Sequence, residues 1–406
     1  MRTRRQFARL AVGATVAATG CVKHMPPILA PKPPEPAYRG DSSLKIHAAE
    51  RGFLYGCAVN VKMLQSDEAY ANLIREQANI VVAENAMKWA LLRPTIDTYN
   101  FVDADLLLAF AEEHHMKIRG HNLCWHRQLP KWFTAEATPA NARALLTSHI
   151  QTVAGRYAGR MHSWDVVNEA VLISDGRSDG LRASPWLKLI GEDYIELAFR
   201  AARDADPQAL LAYNDYGIEG EDETSSRKRT AVLTLLRRLK ARHVPIDALG
   251  VQSHIEAGKT YGPGLRDFLA AARDLGLQLF ATELDVNDRD LAPDNATRDL
   301  AVAGVYADYL NLILADPAMR VVLTWGITDK YTWLNSEDAR ADHLPERCLP
   351  FDADYLPTPG FFAMRNAFDQ RKPPLPASTL GSRKRRKKCP SGSMSPQAMD
   401  SNLSRT

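Results

Sequence analysis

No two of the five cysteines stand in CxxC spacing, and their number is odd. The chain therefore offers neither a zinc site nor a dense disulfide framework. No cluster of His, Cys, Asp or Glu has the spacing of a required metal site, and neither a metal nor a cofactor is expected. A membrane span is missing as well: the apolar run from Leu10 to Ala18 falls well short of the ~20 residues a bilayer needs. An excess of positive charge is absent where it would matter for nucleic acid. The whole chain carries +3, but residues 1–40 hold seven basic residues against one acidic, and residues 371–406 hold nine against one. Residues 41–370 are thus left at −11, and a nucleic-acid partner is excluded.

What is present begins with an address. Arg4 and Arg5 precede Phe7 and a modest apolar run, the pattern of a twin-arginine export signal over residues 1–21. Ala18, Thr19 and Gly20 before Cys21 form a candidate lipobox without the usual large aliphatic residue at its start, so Cys21 is a candidate lipid anchor. The expected location is the periplasm, the medium or the lipid-anchored face of the cell envelope. PPILAPKPPEP lies within a Pro-rich spacer read over residues 22–47. Residues 371–406 carry the basic run Arg383 to Lys388 with little to bury, and read as a disordered tail.

Between these ends, residues 48–370 read as one catalytic domain. Short β-branched or apolar runs near 53–59, 79–83, 116–121, 161–167, 209–213, 247–252, 278–282 and 320–325 alternate with helix-period segments such as YIELAFRAARDA and RTAVLTLLRRLKARH. Each helical segment is long enough for a right-handed crossover, and eight such repeats predict an α/β fold, a (β/α)8 TIM barrel. Cys57 and Cys348 would meet only where such a barrel closes, and buried free thiols are the expected state.

In a (β/α)8 barrel the chemistry gathers where strands end and βα loops begin. Those positions hold Glu84, Asn85 and Lys88, then His121, Trp125 and Gln128, then Asn168 and Glu169. They continue with Asn214, Asp215 and Tyr216, Gln252 and His254, Glu283 and Asp285, and finally Trp325, Asp329 and Trp333. Glu169 and Glu283 follow strands on opposite sides of the mouth. Two opposed carboxylates across a cleft suit glycoside hydrolysis, in which one protonates the leaving oxygen and the other stabilises or attacks the oxocarbenium-like centre. Trp89, Trp125, Trp325 and Trp333 are expected to supply flat faces for sugar rings, while Trp132, Trp164 and Trp186 are assigned to the core.

ENAMKW, GHNLCWHRQLPKW, WDVVNEA, GVQSHI, ATELDV and TWGITDKYTWL occur in this order. Together they resemble glycoside hydrolase family 10, the retaining endo-1,4-β-xylanases, over roughly residues 50–369, and FDADYLPTPGF fits the family's last loop and helix. The resemblance implies that Glu169 is the general acid/base and Glu283 the nucleophile. It implies that His254 bonds Glu283 and is oriented by Asp285, that Glu84, Asn85, Lys88, His121, Trp125, Gln128, Asn168, Trp325 and Trp333 line sugar sites, and that Tyr216 lies near the cleft floor. Gln252 joins them as a donor. The implied partners are xylan and xylo-oligosaccharides, bound by a monomer. The chain departs from the pattern in a longer loop from Asn335 to Cys348 and in the basic tail.

Competing readings remain distinct at this level. One is a β-1,4-glucanase of the same architecture; another is a catalytically silent xylan-binding lipoprotein, against which the presence of both Glu169 and Glu283 argues. A lone His121 or His254 would read as a satisfied core histidine, but each follows a strand within a motif. No Arg stands near Glu169 or Glu283 in the sequence, which speaks against a purely structural ion pair.

Overall fold

The computed structural model, which describes residues 37–373, turns the expected repeats into a closed ring. The chain divides after Ala37, and the unit beginning at Tyr38 carries the barrel. Its strands are β1 (Leu54–Val59), β2 (Ile80–Ala83), β3 (Lys117–Cys124), β4 (Ser163–Asn168), β5 (Leu210–Asp215), β6 (Ala248–Val251), β7 (His254–Glu256), β8 (Gln278–Asn287) and β9 (Met319–Thr324). Neighbours pair in parallel from β1 to β6, β6 pairs with β8, and β9 joins β8 to β1, closing eight strands. The expected strands are all found within a few residues. The short β7 was not expected: it continues the β6 line beyond Gln252 and Ser253 and pairs with the far end of β8.

Alternation along each strand sorts side chains between two cores. In β2, Ile80 and Val82 face the barrel interior with Ala58, Ala212, Ala248, Phe280 and Val321, whereas Val81 and Ala83 face the helices. The helices answer with apolar stripes. In the helix Tyr194–Ala205, residues Tyr194, Ile195, Ala198, Phe199, Ala201 and Ala202 are buried, a 3.6-residue period laid against the sheet. Asp222 starts the helix Glu223–Ala241 by accepting from the Ser225 amide at 3.0 Å, which satisfies one of the free N–H groups of the first turn.

Three expectations need adjustment. The spacer does not reach residue 47: a 3-10 turn covers Gly40–Ser42 and a helix covers Leu44–Glu50, with Leu44 and Ala48 fully buried. That helix is tied to the helix Pro359–Gln370 by His47 Nδ1, 2.7 Å from Asp369. Trp89 is not a sugar platform. It is 2% exposed, donates to the Leu123 carbonyl at 2.7 Å and stacks on His149. Trp132 is only half-buried, while Trp164 and Trp186 lie in the core as expected. Cys57, Cys124 and Cys348 are buried free thiols. The export signal, Cys21 and the basic run Arg383 to Lys388 lie outside the described residues. Among the described residues no helix is long and apolar enough to cross a membrane.

Candidate active site

The C-terminal ends of the strands open into a cleft of about 840 Å³. Glu84, Asn85, Lys88, His121, Trp125, Gln128, Asn168, Glu169, Tyr216, Gln252, His254, Glu283, Trp325 and Trp333 all line it. Asp285 lies one layer behind, 1% exposed.

Glu169 enters the cleft because its backbone breaks the alternation of β4. Adjacent residues of a strand point to opposite faces, yet Asn168 and Glu169 both line the cleft, and Glu169 has φ +60°. A left-handed glutamate is strained, and such a residue persists only where its surroundings hold it. The Glu169 amide donates to the Asn214 carbonyl at 2.8 Å, and its own carbonyl accepts from Arg182 Nε at 2.7 Å. The carboxylate accepts at Oε1 from Gln252 at 3.1 Å and from Asn168 at 3.2 Å, while Oε2 lies 3.7 Å from His126 Nδ1 and 3.9 Å from Arg182 Nη2. Burial is the dominant influence and raises its pKa; hydrogen bonds oppose it, and the charges of Asp215 and Glu283 reinforce it.

Glu283 is held the other way. Burial alone would raise its pKa as well, but His254 Nε2 at 3.4 Å, the charges of His121 and His254, and an Asn214 hydrogen bond at 2.7 Å hold it down to about 2. His254 is itself fixed by Asp285, whose Oδ1 lies 2.9 Å from Nδ1 and whose Oδ2 accepts from Trp333 Nε1 at 2.8 Å. Burial disfavours a proton on His254, yet Asp285 and Glu283 together raise its pKa well above the ordinary histidine value.

The remaining polar groups form a second arm. Lys88 Nζ donates to Asn85 at 3.0 Å, Asn85 donates to Glu84 at 3.1 Å, and the ammonium lies 5.3 and 5.7 Å from the ring centres of Trp125 and Trp325. His121 Nδ1 lies 2.9 Å from Asp165, a buried carboxylate that also pairs with Arg119. Tyr216 accepts from Arg182 at 3.0 Å and carries Lys228 over its ring at 3.9 Å. A donor-rich arm beside indole faces binds a polyhydroxylated ring by its edge and its face at once.

The structure adds cleft residues that sequence reasoning left out: Asn60, His126, Arg127, Arg182, Tyr331, Thr332, Ser336 and Glu337. Arg182 also corrects the view that Glu169 has no arginine nearby. The loop after β4 doubles back, with Val171 bridged antiparallel to Leu181, and so returns an arginine thirteen positions away. His126 and Arg127 lie inside a quoted motif, and their position between Trp125 and Gln128 was the signal available.

A (β/α)8 barrel whose open mouth holds one carboxyl with a raised pKa and one with a lowered pKa is the framework of a glycoside hydrolase. Residues 43–367 match Glycosyl hydrolase family 10, and the chain belongs to that family. It is 34% identical to endo-1,4-beta-xylanase B of Thermotoga neapolitana over 82% of this chain and 93% of that protein. It is 33% identical to endo-1,4-beta-xylanase C of Paenibacillus barcinonensis over 77% of this chain, which spans only 30% of that longer relative. Among solved structures, xylanase 10B of Thermotoga petrophila in complex with xylobiose superposes with a TM-score of 0.75 at 36% identity, covering 82% of this chain and 99% of that one.

Proposed function

We propose that the protein hydrolyses internal β-1,4-xylosidic bonds of xylan with retention of configuration, Glu169 serving as acid/base and Glu283 as nucleophile. The observation that carries this reading is the opposite setting of two carboxyls that line one cleft: burial raises the pKa of Glu169, while His254 and Asn214 lower that of Glu283. In the first step Glu283 attacks the anomeric carbon as Glu169 gives its proton to the departing glycosidic oxygen. The glycosyl ester that forms neutralises Glu283, which removes one reason for Glu169 to hold a proton. Glu169 then takes a proton from water as that water attacks the same carbon, releasing the sugar and the free Glu283 carboxylate. Trp125, Trp325 and Trp333 supply the faces, and Lys88, Gln252 and Asn168 the donors.

Relatives named as xylanases, one of them solved with xylobiose, support xylan as the polymer. Incubation with xylan, carboxymethylcellulose and mannan, followed by product sizing, tests the reading. Short xylo-oligosaccharides should appear early and from xylan alone. Xylose as the sole first product would remove the endo-acting assignment, and equal release from carboxymethylcellulose would remove the xylan one. Export belongs to the same proposal: replacing Arg4 and Arg5 with Lys should leave active precursor in the cytoplasm.

A further inference from the structure

Among the described residues, two charged side chains on the cleft wall have no polar partner. Lys88, Glu169, Arg182, His254 and Glu283 all have close partners. Arg127 and Glu337 are exposed, and among the described residues neither side chain makes a hydrogen bond or an ion pair.

Arg127 sits in the bend that follows β3. Beyond the end of β3 at Cys124 the chain bends, Gln128 has φ +49°, and His126, Arg127 and Gln128 all line the cleft. The guanidinium carbon stands 6.0 Å from the ring centre of Trp125, a ring that also lines the cleft. The neighbouring cations have their own carboxylates: Arg182 lies 3.9 Å from Glu169 and Lys228 lies 2.8 Å from Asp215. Among the described residues Arg127 is a cation of the cleft wall with neither a hydrogen bond nor an ion pair, on a domain whose residues 41–370 carry −11 and which otherwise repels an anionic polymer.

Resting on the xylan reading, we infer that Arg127 is a binding site for the carboxylate of a uronic acid branch on the xylan chain. A guanidinium presents two parallel N–H donors that match a carboxylate, and it is available here because no protein carboxylate occupies it. Its place on the cleft wall, 6.0 Å from the Trp125 ring centre, puts this fork within reach of a branch on a xylan chain bound in the cleft. Glu337, at the end of the short helix Leu334–Glu337, also lines the cleft, and its carboxylate disfavours an acidic branch beside it.

The test compares glucuronoxylan with the same polymer after its uronic acids are reduced to neutral hexoses, which keeps the branch and removes the charge. Wild-type enzyme should prefer the acidic polymer by about three- to fivefold in kcat/KM, the scale of an exposed ion pair. The preference should fade at high salt. Arg127→Gln should bring the ratio to about one, and Arg127→Lys should keep part of it. Because the readout is a ratio, it is insensitive to any general effect of the substitution on main-chain cleavage. Equal wild-type rates on both polymers, or a preference that survives Arg127→Gln, would overturn the assignment alone. Wild-type inactivity on both would overturn the xylan reading and this inference with it.

Discussion

The side-chain amide of Asn214 donates to Oε1 of Glu283 at 2.7 Å. The same nitrogen reaches Asn168 Oδ1 at 2.9 Å, and Asn214 Oδ1 accepts from Thr282 Oγ1 at 2.7 Å, so the amide is fixed in one orientation. Gly250 makes room for it: a Cβ at that position would stand 2.2 Å from Asn214 Oδ1. Asn214→Ala should lower kcat/KM on an aryl xylobioside by about 10- to 100-fold, the value of a hydrogen bond to a charged group. Gly250→Ala should do the same by displacing the amide. The two act through one contact, so the double variant should be no worse than the poorer single one. Multiplying losses would show that Gly250 matters for another reason.

Asp285→Asn should move the acid limb of the kcat/KM profile to higher pH. Glu283 works only when ionised, and part of what holds it down at about 2 is the bond and charge of His254. His254 in turn keeps its proton because Asp285 faces it at 2.9 Å. Without that carboxylate the histidine charge weakens and the Glu283 pKa rises, so activity is lost at higher pH on the acid side. The alkaline limb, set by loss of the Glu169 proton, should stay in place. An unmoved acid limb would break the proposed chain from Asp285 to Glu283.

The loop from Asn335 to Cys348 carries a titration of its own. Glu346, fully buried, accepts from the Asp288 amide at 3.2 Å, and burial followed by the Asp288 carboxylate pushes its pKa up to about 8. Between an ordinary glutamate value and about 8 the unfolded chain has released a proton that the folded chain still holds. Stability therefore falls as pH rises through that window. Glu346→Gln keeps an acceptor for the amide and a donor toward Asp288 without the titration. It should flatten the decline between pH 5 and 9, on the order of a few kcal/mol, as read from chemical denaturation at each pH. A decline as steep as wild type would place the effect elsewhere.

The barrel was legible because alternation and helical period are local properties of the chain, and the cleft was legible because strand ends are where a barrel puts its polar residues. Trp89 shows the limit. It follows Lys88 directly, and its ring faces inward through contacts with residues distant in sequence: the Leu123 carbonyl and the rings of Phe133, His149 and Trp186. Arg182 shows another, since its approach to Glu169 depends on a loop that folds back on itself. Asn214 was visible as a strand-end residue, but its bond to Glu283 spans β5 to β8 and needed Gly250 between them. Contacts between distant strands follow from register, which single-chain periodicity does not carry.

The division of labour between Glu169 and Glu283 has the sharpest test. Glu283→Ala removes the group that bonds to the anomeric carbon and should cost several orders of magnitude on every substrate. Glu169→Ala should cost about 10²- to 10⁴-fold on xylan, where the leaving sugar needs a proton. It should spare the first step on an aryl xylobioside whose phenolate leaves without one. That variant should give a burst of phenol equal to the enzyme present and then stall, because no base remains to activate water. Azide, a small anion able to enter the space left by the carboxyl, should restart turnover and yield the β-xylobiosyl azide, since it attacks the face opposite Glu283. Loss of the burst, or an α-azide product, would require exchanging or abandoning the two roles.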